Sequence, residues 1–162
     1  MGFRSFFDYP SQNEDENQAE DLIFLPHWGE RRWGNLLTYT STIRFQAGDI
    51  LIHQGESDRS FYIITEGTVE VVIAKGQNQK AQRTLQREAG SIIGEQGFLD
   101  GKPRSATIRA VTAGSLLRLS ETSFEILAAR EPDMARDILF DLARLLSIKL
   151  RQANQFIARI IK

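Results

Sequence analysis

Residues 92–110 read IIGEQGFLDGKPRSATIRA, and the reading of this stretch decides how the chain is understood. Ile92 and Ile93 end a strand. Gly94 then permits a sharp turn, because a residue without a Cβ takes positive φ at no steric cost. Glu95 to Leu99 suffices for one helical turn, and Asp100-Gly101 stops it. The unsatisfied N–H groups at the start of such a turn attract anions. Arg104 returns just before the next strand, and a guanidinium can hold two phosphate oxygens at once. Ser105 adds a hydroxyl and a backbone N–H beside it. Together these groups make a cradle for one phosphate. A carboxylate beside a phosphate is repelled, so Glu95 needs another reason to stand there. Accepting a hydrogen bond from a sugar hydroxyl next to that phosphate supplies one. The residues point to a phosphate fused to a sugar in a small pocket.

Outward from this segment the pattern is that of an antiparallel β-sandwich or roll. From about Thr38, the runs TSTIRF, DILIHQG, SFYIITEG, TVEVVIAKG, RTLQR and GSIIG follow one another, and SATIRAV and SLLRLS come after the segment. Each is short, rich in β-branched or aromatic residues, and bounded by turn formers, as in an antiparallel sandwich or roll. Val69, Val71 and Ile73 alternate with Thr68, Glu70 and Val72, the pattern of a half-buried strand. Glu66-Gly67 and Gly76-Gln77-Asn78 supply turns. After Ser120 the period becomes helical. Ser120-Glu121-Thr122 caps a helix through Phe124, Ile126 and Leu127, and Pro132 opens a second one that nothing breaks before Lys162. Such a helix is about 45 Å long at 1.5 Å per residue. Leu139, Leu142, Leu146, Ala153, Phe156 and Ile160 are expected on one seam, interrupted by Lys149. Its length beyond the roll favours a second chain, so a homodimer through this helix is expected.

The expected organisation is a leader over 1–37, partly disordered, a β-roll over 38–120 with its phosphate-binding segment at 93–110, and C-terminal helices over 121–162. Ser11–Asp21 reads SQNEDENQAED, polar and acidic, with little to bury. Phe3, Phe6 and Phe7 precede it, and the PHWGERRWG stretch with Trp28 and Trp33 is expected to cover part of the domain.

Composition narrows the function classes. The 162 residues include no cysteine, which removes disulfides, thiolate metal sites and cysteine nucleophiles. The formal charge of −1 provides no general attraction for nucleic acid. No run approaches the roughly 18 apolar residues of a membrane helix, and no signal-peptide core appears near Met1, so a cytoplasmic location is the default. Only His27 and His53 could serve a metal centre of the kind that β-roll enzymes carry. Glu95 with Asp100 could be read as a carboxylate pair, but turn residues are the simpler account. With no triad or Walker loop, the chain is expected to be a non-enzymatic module without catalytic or metal-ligating residues.

The order Gly94-Glu95, short helix, Arg104-Ser105-Ala106-Thr107 resembles the phosphate-binding cassette of cyclic-nucleotide-binding domains. These occur in bacterial catabolite activators, protein-kinase regulatory subunits and nucleotide-gated channels. The upstream run AGDILIHQGESDRSFYIITEGTVEV is similar to the strand–turn–strand signature of the same family, and the resemblance spans about Ile43 to Leu150. It implies a mainly β fold, a double-stranded β-helix or jelly roll, followed by short and long helices. It also implies the ligand, cAMP or else cGMP, and no other cofactor. Gly94 and Glu95 would contact the ribose, Arg104 the cyclic phosphate, and Ser105 and Ala106 would lie beside it. Val71 and Leu85 would line the base pocket. In the family the C-terminal helices close over the base, which makes Leu142, Leu146 and Lys149 the groups expected to approach it. Gln96 stands where an apolar residue is usual, and Phe98 where an aliphatic one is common. A threonine at Ser105 would have pointed towards cGMP. The expected role is a ligand-switched regulatory domain acting through its long helix on an output protein that no motif identifies. The alternatives are a ligand-free β-roll scaffold or interaction module, and the ligand domain of a truncated transcription regulator. No DNA-binding domain is seen in the sequence.

Overall fold

The computed structural model describes residues 22–74 and 82–161. Phe3, Phe6, Phe7, the acidic run Ser11–Asp21 and the Gly76-Gln77-Asn78 turn lie outside the described residues. All eight expected strands are present. A short helix α1 (Glu30–Leu37) precedes β1 (Ser41–Phe45), β2 (Ile50–Ile52), β3 (Ser60–Glu66), β4 (Thr68–Ala74), β5 (Gln82–Glu88) and β6 (Ile92–Ile93). Helix α2 (Glu95–Asp100) comes next, then β7 (Thr107–Ala110), β8 (Gly114–Ser120), α3 (Glu121–Arg130) and α4 (Pro132–Ile160). The strands form two antiparallel four-stranded sheets, ordered β1-β8-β3-β6 and β2-β7-β4-β5. This is a jelly roll with C-terminal helices.

Strand β3 explains how the layers are held. Successive side chains of a strand point to opposite faces. Tyr62 and Ile64 enter the cluster between the sheets, with Phe45, Ile52, Val69, Ile93, Ile108 and Leu116. Phe61 and Ile63 enter a second cluster, with Leu117 and Leu119 of β8 and with Leu127, Ile138, Leu142 and Leu145 of the helices. An unbroken apolar run is what a strand buried on both faces needs. On β4, Val69 is fully buried, but Val72, expected on the outer face, is buried as well.

The helix boundaries follow from local chemistry. Ser120 is extended, and its Oγ accepts a 3.2 Å hydrogen bond from the Ser123 N–H, capping α3. Pro132 sits in the first turn of α4, where its missing N–H costs nothing. At 29 residues, α4 is about 44 Å long. Its buried stripe is Met134, Ala135, Ile138, Asp141, Leu142 and Leu145.

The expected single seam on α4 is not found. Leu142 is fully buried against the roll, whereas Leu139, Phe156 and Ile160 are exposed. A helix turns 3.6 residues per revolution, so a one-residue offset rotates a side chain by about 100°. Leu139, Leu146, Leu150, Ile157 and Ile160 make one stripe. Ile138, Leu142, Leu145, Lys149, Gln152 and Phe156 make another, and it faces the roll.

Residues from Leu22 onward, read from sequence as part of a leader, contribute to the core. Leu22, Phe24, Leu25 and Leu36 are buried in the helical cluster. Leu25 has φ 50°, a left-handed conformation that leucine rarely adopts. Its N–H donates to Asp141 Oδ2 at 2.6 Å, inside the protein. Arg144 Nε donates to Asp141 Oδ1 at 2.6 Å, and Arg144 Nη2 donates to the Ile23 carbonyl at 2.7 Å. Asp141 therefore clips the N-terminal segment to α4.

Asp141→Ala leaves the Leu25 N–H without its carboxylate, and a buried unsatisfied donor costs about 1–3 kcal/mol. Urea unfolding is expected to show that loss, with a smaller loss for Asp141→Asn, whose amide oxygen still accepts. Equal stability of the alanine variant and the wild type would show that the clip contributes nothing.

Candidate functional site

Two glycines bracket the cassette. Gly94 closes β6 with φ 78° and acts as N-cap of α2, and Gly101 closes α2 with φ 69°. A Cβ on Gly94 would lie 2.8 Å from Arg104 Nη1 and 3.2 Å from the Ser60 carbonyl oxygen. The turn therefore needs both the left-handed backbone and the missing side chain. The helix it opens buries Glu95, Gly97 and Phe98 and exposes Gln96 and Leu99.

Arg104 is 4% exposed and folds back under this turn. Its Nη1 donates to the Gly94 carbonyl at 2.7 Å, and its Nη2 to Asp58 Oδ2 at 2.8 Å. Asp58 is the hub of a small polar cluster. Its Oδ1 accepts from Ser60 Oγ at 3.1 Å and from Arg118 Nη2 at 3.4 Å, and Tyr62 Oη donates to Oδ2 at 3.2 Å. Burial acts to raise the Asp58 pKa. The hydrogen bonds from Arg104 and Ser60 and the charges of Arg104 and Arg118 outweigh it, and the carboxyl is held below its ordinary value. For Tyr62, burial and then the Asp58 charge push the phenol up.

A cavity of about 930 Å³ opens in front of this turn. Gly94, Glu95, Arg104, Ser105 and Ala106 form one wall. Val71 and Leu85, paired across β4 and β5, form another. Lys149, Gln152 and Phe156 of α4 close a third side, and Leu22 and Ile23 contribute a rim. Such a volume lies in the range of small-molecule sites. Glu95 is 6% exposed, and Lys149 Nζ donates to its Oε1, joining α4 to the cassette. Arg87 also lines the cavity, two residues from Leu85 and hence on the same face of β5. Burial pushes its pKa down, against the opposing pull of Glu95.

The family profile of the cyclic nucleotide-binding domain matches residues 42–131. The chain belongs to the cyclic nucleotide-binding domain family. It is 33% identical over 113 residues to the cAMP-activated global transcriptional regulator of Salmonella typhimurium, covering 69% of this chain and 53% of that protein. The chain thus spans about half the length of that relative. It is 36% identical over 89 residues to a cGMP-dependent protein kinase of Plasmodium berghei, covering 55% of this chain and 10% of the kinase. Among solved structures, a cyclic nucleotide-binding domain from Methylobacillus flagellatus superposes with a TM-score of 0.75 at 26% identity, over 87% of this chain and 80% of that one.

In this cyclic nucleotide-binding domain, all eight residues singled out from sequence (Gly94, Glu95, Arg104, Ser105, Ala106, Val71, Leu85 and Lys149) line one cavity. Leu142, expected to approach it, is instead packed in the core, and Leu146 is not among the lining residues. Gln152 and Phe156 take their place, because the stripe facing the cavity is rotated from the expected seam. The two departures from the family pattern have structural partners. Gln96 Oε1 accepts from Ser105 Oγ at 2.6 Å, so the residue that replaces an apolar one ties the two arms of the cassette together. Phe98 packs edge-on between Phe61, at 4.9 Å, and Phe124, at 5.4 Å between centroids. Sequence reasoning missed Asp58, Tyr62, Arg87 and Arg118. A signal for Asp58 was present: a carboxylate in GESDRSF two residues before an apolar strand, although Glu56 beside it makes the stretch look like ordinary polar surface.

Among the described residues, no group of three His, Cys, Asp or Glu side chains could hold a metal ion. No described helix is long and apolar enough to cross a membrane.

Gly94→Ala forces a Cβ against the Arg104 guanidinium at a positive φ, a strain of about 1–3 kcal/mol. The expected result is a lower urea midpoint together with weaker nucleotide binding. An unchanged midpoint would mean that the turn can absorb a side chain.

Proposed function

We propose that this domain binds a 3′,5′-cyclic purine nucleotide, cAMP ahead of cGMP, and passes its occupancy to α4 as a regulatory signal. The observation that carries the reading is the convergence on one cavity of a buried carboxylate, Glu95, and a buried guanidinium, Arg104, from the two ends of one short turn. Arg104 keeps N–H donors beyond those given to Gly94 and Asp58, since a guanidinium has five. These would bind the cyclic phosphate, with Ser105 and Ala106 beside it. Glu95, with the backbone of Gly94, would accept the ribose 2′-hydroxyl. Val71 and Leu85 offer an apolar wall for the base. The preference for cAMP draws support from the likeness to a regulator named as cAMP-activated, while Ser105 itself leaves the base choice open. The role is regulatory and non-enzymatic, and a cytoplasmic location suits it.

Lys149 is the proposed transmitter. It holds the same Glu95 carboxylate that the ribose hydroxyl would use, so ligand and helix share one acceptor. A ligand shifts the helix only by its differential affinity for the two helix positions, and this shared group provides one. The outward stripe Leu139, Leu146, Leu150, Ile157 and Ile160 would pair with a second copy of the chain. An output protein would then read the arrangement of the two helices.

Calorimetry with both nucleotides tests the ligand. Saturable heat is expected for cAMP, weaker for cGMP, and absence of heat with millimolar ligand would leave a scaffold role in its place. Arg104→Ala removes two charge-assisted hydrogen bonds at roughly 1.5–3 kcal/mol each, so affinity should fall on the order of a hundredfold or more. Glu95→Ala should weaken cAMP but hardly affect its 2′-deoxy analogue, and an equal loss for both would remove Glu95 from sugar recognition.

Spin labels on Thr42 and Arg151 test the transmission. Their separation is expected to change on saturation with nucleotide, and the change should shrink in Lys149→Met although binding persists. An identical distance in both states overturns the switch. Light scattering should report a dimer, and a monomer at high concentration with and without nucleotide would refute the pairing of the outward stripe.

A further inference from the structure

A second hollow, of about 480 Å³, lies where α1 hands over to β1 and β8 to α3. Thr38, Ser41, Ser120 and Ser123 are among its lining residues, and so are Arg118 and Arg130. No carboxylate lines it. Beyond the Asp58 that Arg118 reaches, its charge is unbalanced at Arg130, unlike the first cavity, where Glu88 and Glu95 accompany the arginines. Arg130 is exposed at the last position of α3, and among the described residues it has no ion-pair partner. Arg118 reaches Asp58 at 3.4 Å, a long contact beside the 2.8 Å bond that Arg104 makes to the same carboxylate. Arg118 also hydrogen-bonds the Tyr62 phenol, and part of it remains in contact with solvent.

We propose that this hollow is a second ligand site, for a small oxyanion bound between Arg118 and Arg130 with the Ser41 and Ser123 hydroxyls as further donors. The shared chemistry is a phosphate group, free or esterified, because paired guanidinium groups and hydroxyls match its oxygens. The site communicates with the nucleotide cavity through Asp58, a link that rests on the nucleotide reading above. An oxyanion that draws Arg118 away leaves Asp58 with Arg104 as its remaining guanidinium partner, beside the Ser60 and Tyr62 hydroxyls. The Asp58–Arg104 pair then tightens, and Arg104 is less available to the cyclic phosphate. Occupancy of the hollow weakens nucleotide binding.

The test titrates the ¹⁵N-labelled protein with inorganic phosphate and, separately, with glycerol phosphate, at matched ionic strength in chloride. Saturable amide shifts are expected at Ser41 and at Ser120 to Ser123. Tighter binding of the ester would assign the rest of the hollow to an organic ligand, and equal binding would assign the site to phosphate itself. Arg130→Glu should weaken these shifts about tenfold or more, as loss of a charge-assisted contact requires. Arg130 is exposed and remote from the cassette, so thermal unfolding and phosphate shifts at Gly94 to Arg104 should be unaltered in that variant. Shifts confined to Gly94–Ala106, or undiminished in Arg130→Glu, overturn the site, and neither outcome depends on whether nucleotide binds. In the wild type, phosphate should weaken nucleotide affinity several-fold relative to chloride, and Arg130→Glu should shrink that difference to what direct competition at the cassette leaves. Nucleotide affinity indifferent to phosphate overturns the link through Asp58.

Discussion

Strand β3 is buried on both faces, and the rest of the molecule is arranged around that constraint. Its Tyr62 and Ile64 pack between the sheets, and its Phe61 and Ile63 pack under the helices. The chain entering it carries Asp58, which fixes Arg104, and Arg59, which donates to the Phe98 carbonyl at 3.0 Å. One backbone thus supports the roll interior, the cassette and the helical layer. Interiors are packed at crystal-like density. A displacement at the cassette therefore meets Phe61 directly, and through it Phe24 on the N-terminal segment, with ring centroids 5.7 Å apart.

Two kinds of contact divide what was legible in the sequence from what was not. The cassette was legible because its parts are local. The glycines that bracket α2, the serine that caps α3 and the proline that opens α4 each act within a few residues of themselves. The strands were legible because alternation and turn residues report on a single chain segment. Asp58 and Asp141 were not, since their meaning lies in partners 46 and 116 residues away. A lone carboxylate in a turn looks like ordinary surface until the fold puts a guanidinium or a buried N–H against it. The same holds for Arg87, which in sequence belongs to a polar strand, QRTLQRE, and in the fold faces a cavity.

The long helix shows how a correct general reading can fail in register. Its apolar residues are numerous enough to draw a seam by eye, but two stripes about 100° apart were merged into one. The polar interruption at Lys149 belongs to the inner stripe, where its partner is Glu95. A charge there is no blemish in a coiled-coil core. It is the point at which the helix meets the cassette, and buried or half-buried charges of this kind persist only when paired. The outer stripe is apolar without interruption from Leu139 to Ile160 at the positions that matter.

Helix α4 has buried residues only as far as Leu145, and after its contact at Lys149 nearly every residue is exposed. The eleven residues that follow Lys149, as far as Ile160, amount to an arm of about 16 Å at 1.5 Å per residue. With its fulcrum at the Glu95 contact, the arm magnifies angle into distance: a tilt of about 10° would sweep Ile160 through about 3 Å, using that same rise per residue. A change of one hydrogen-bond length inside the roll would become, at the far end of the helix, a shift as large as the gap between neighbouring side chains.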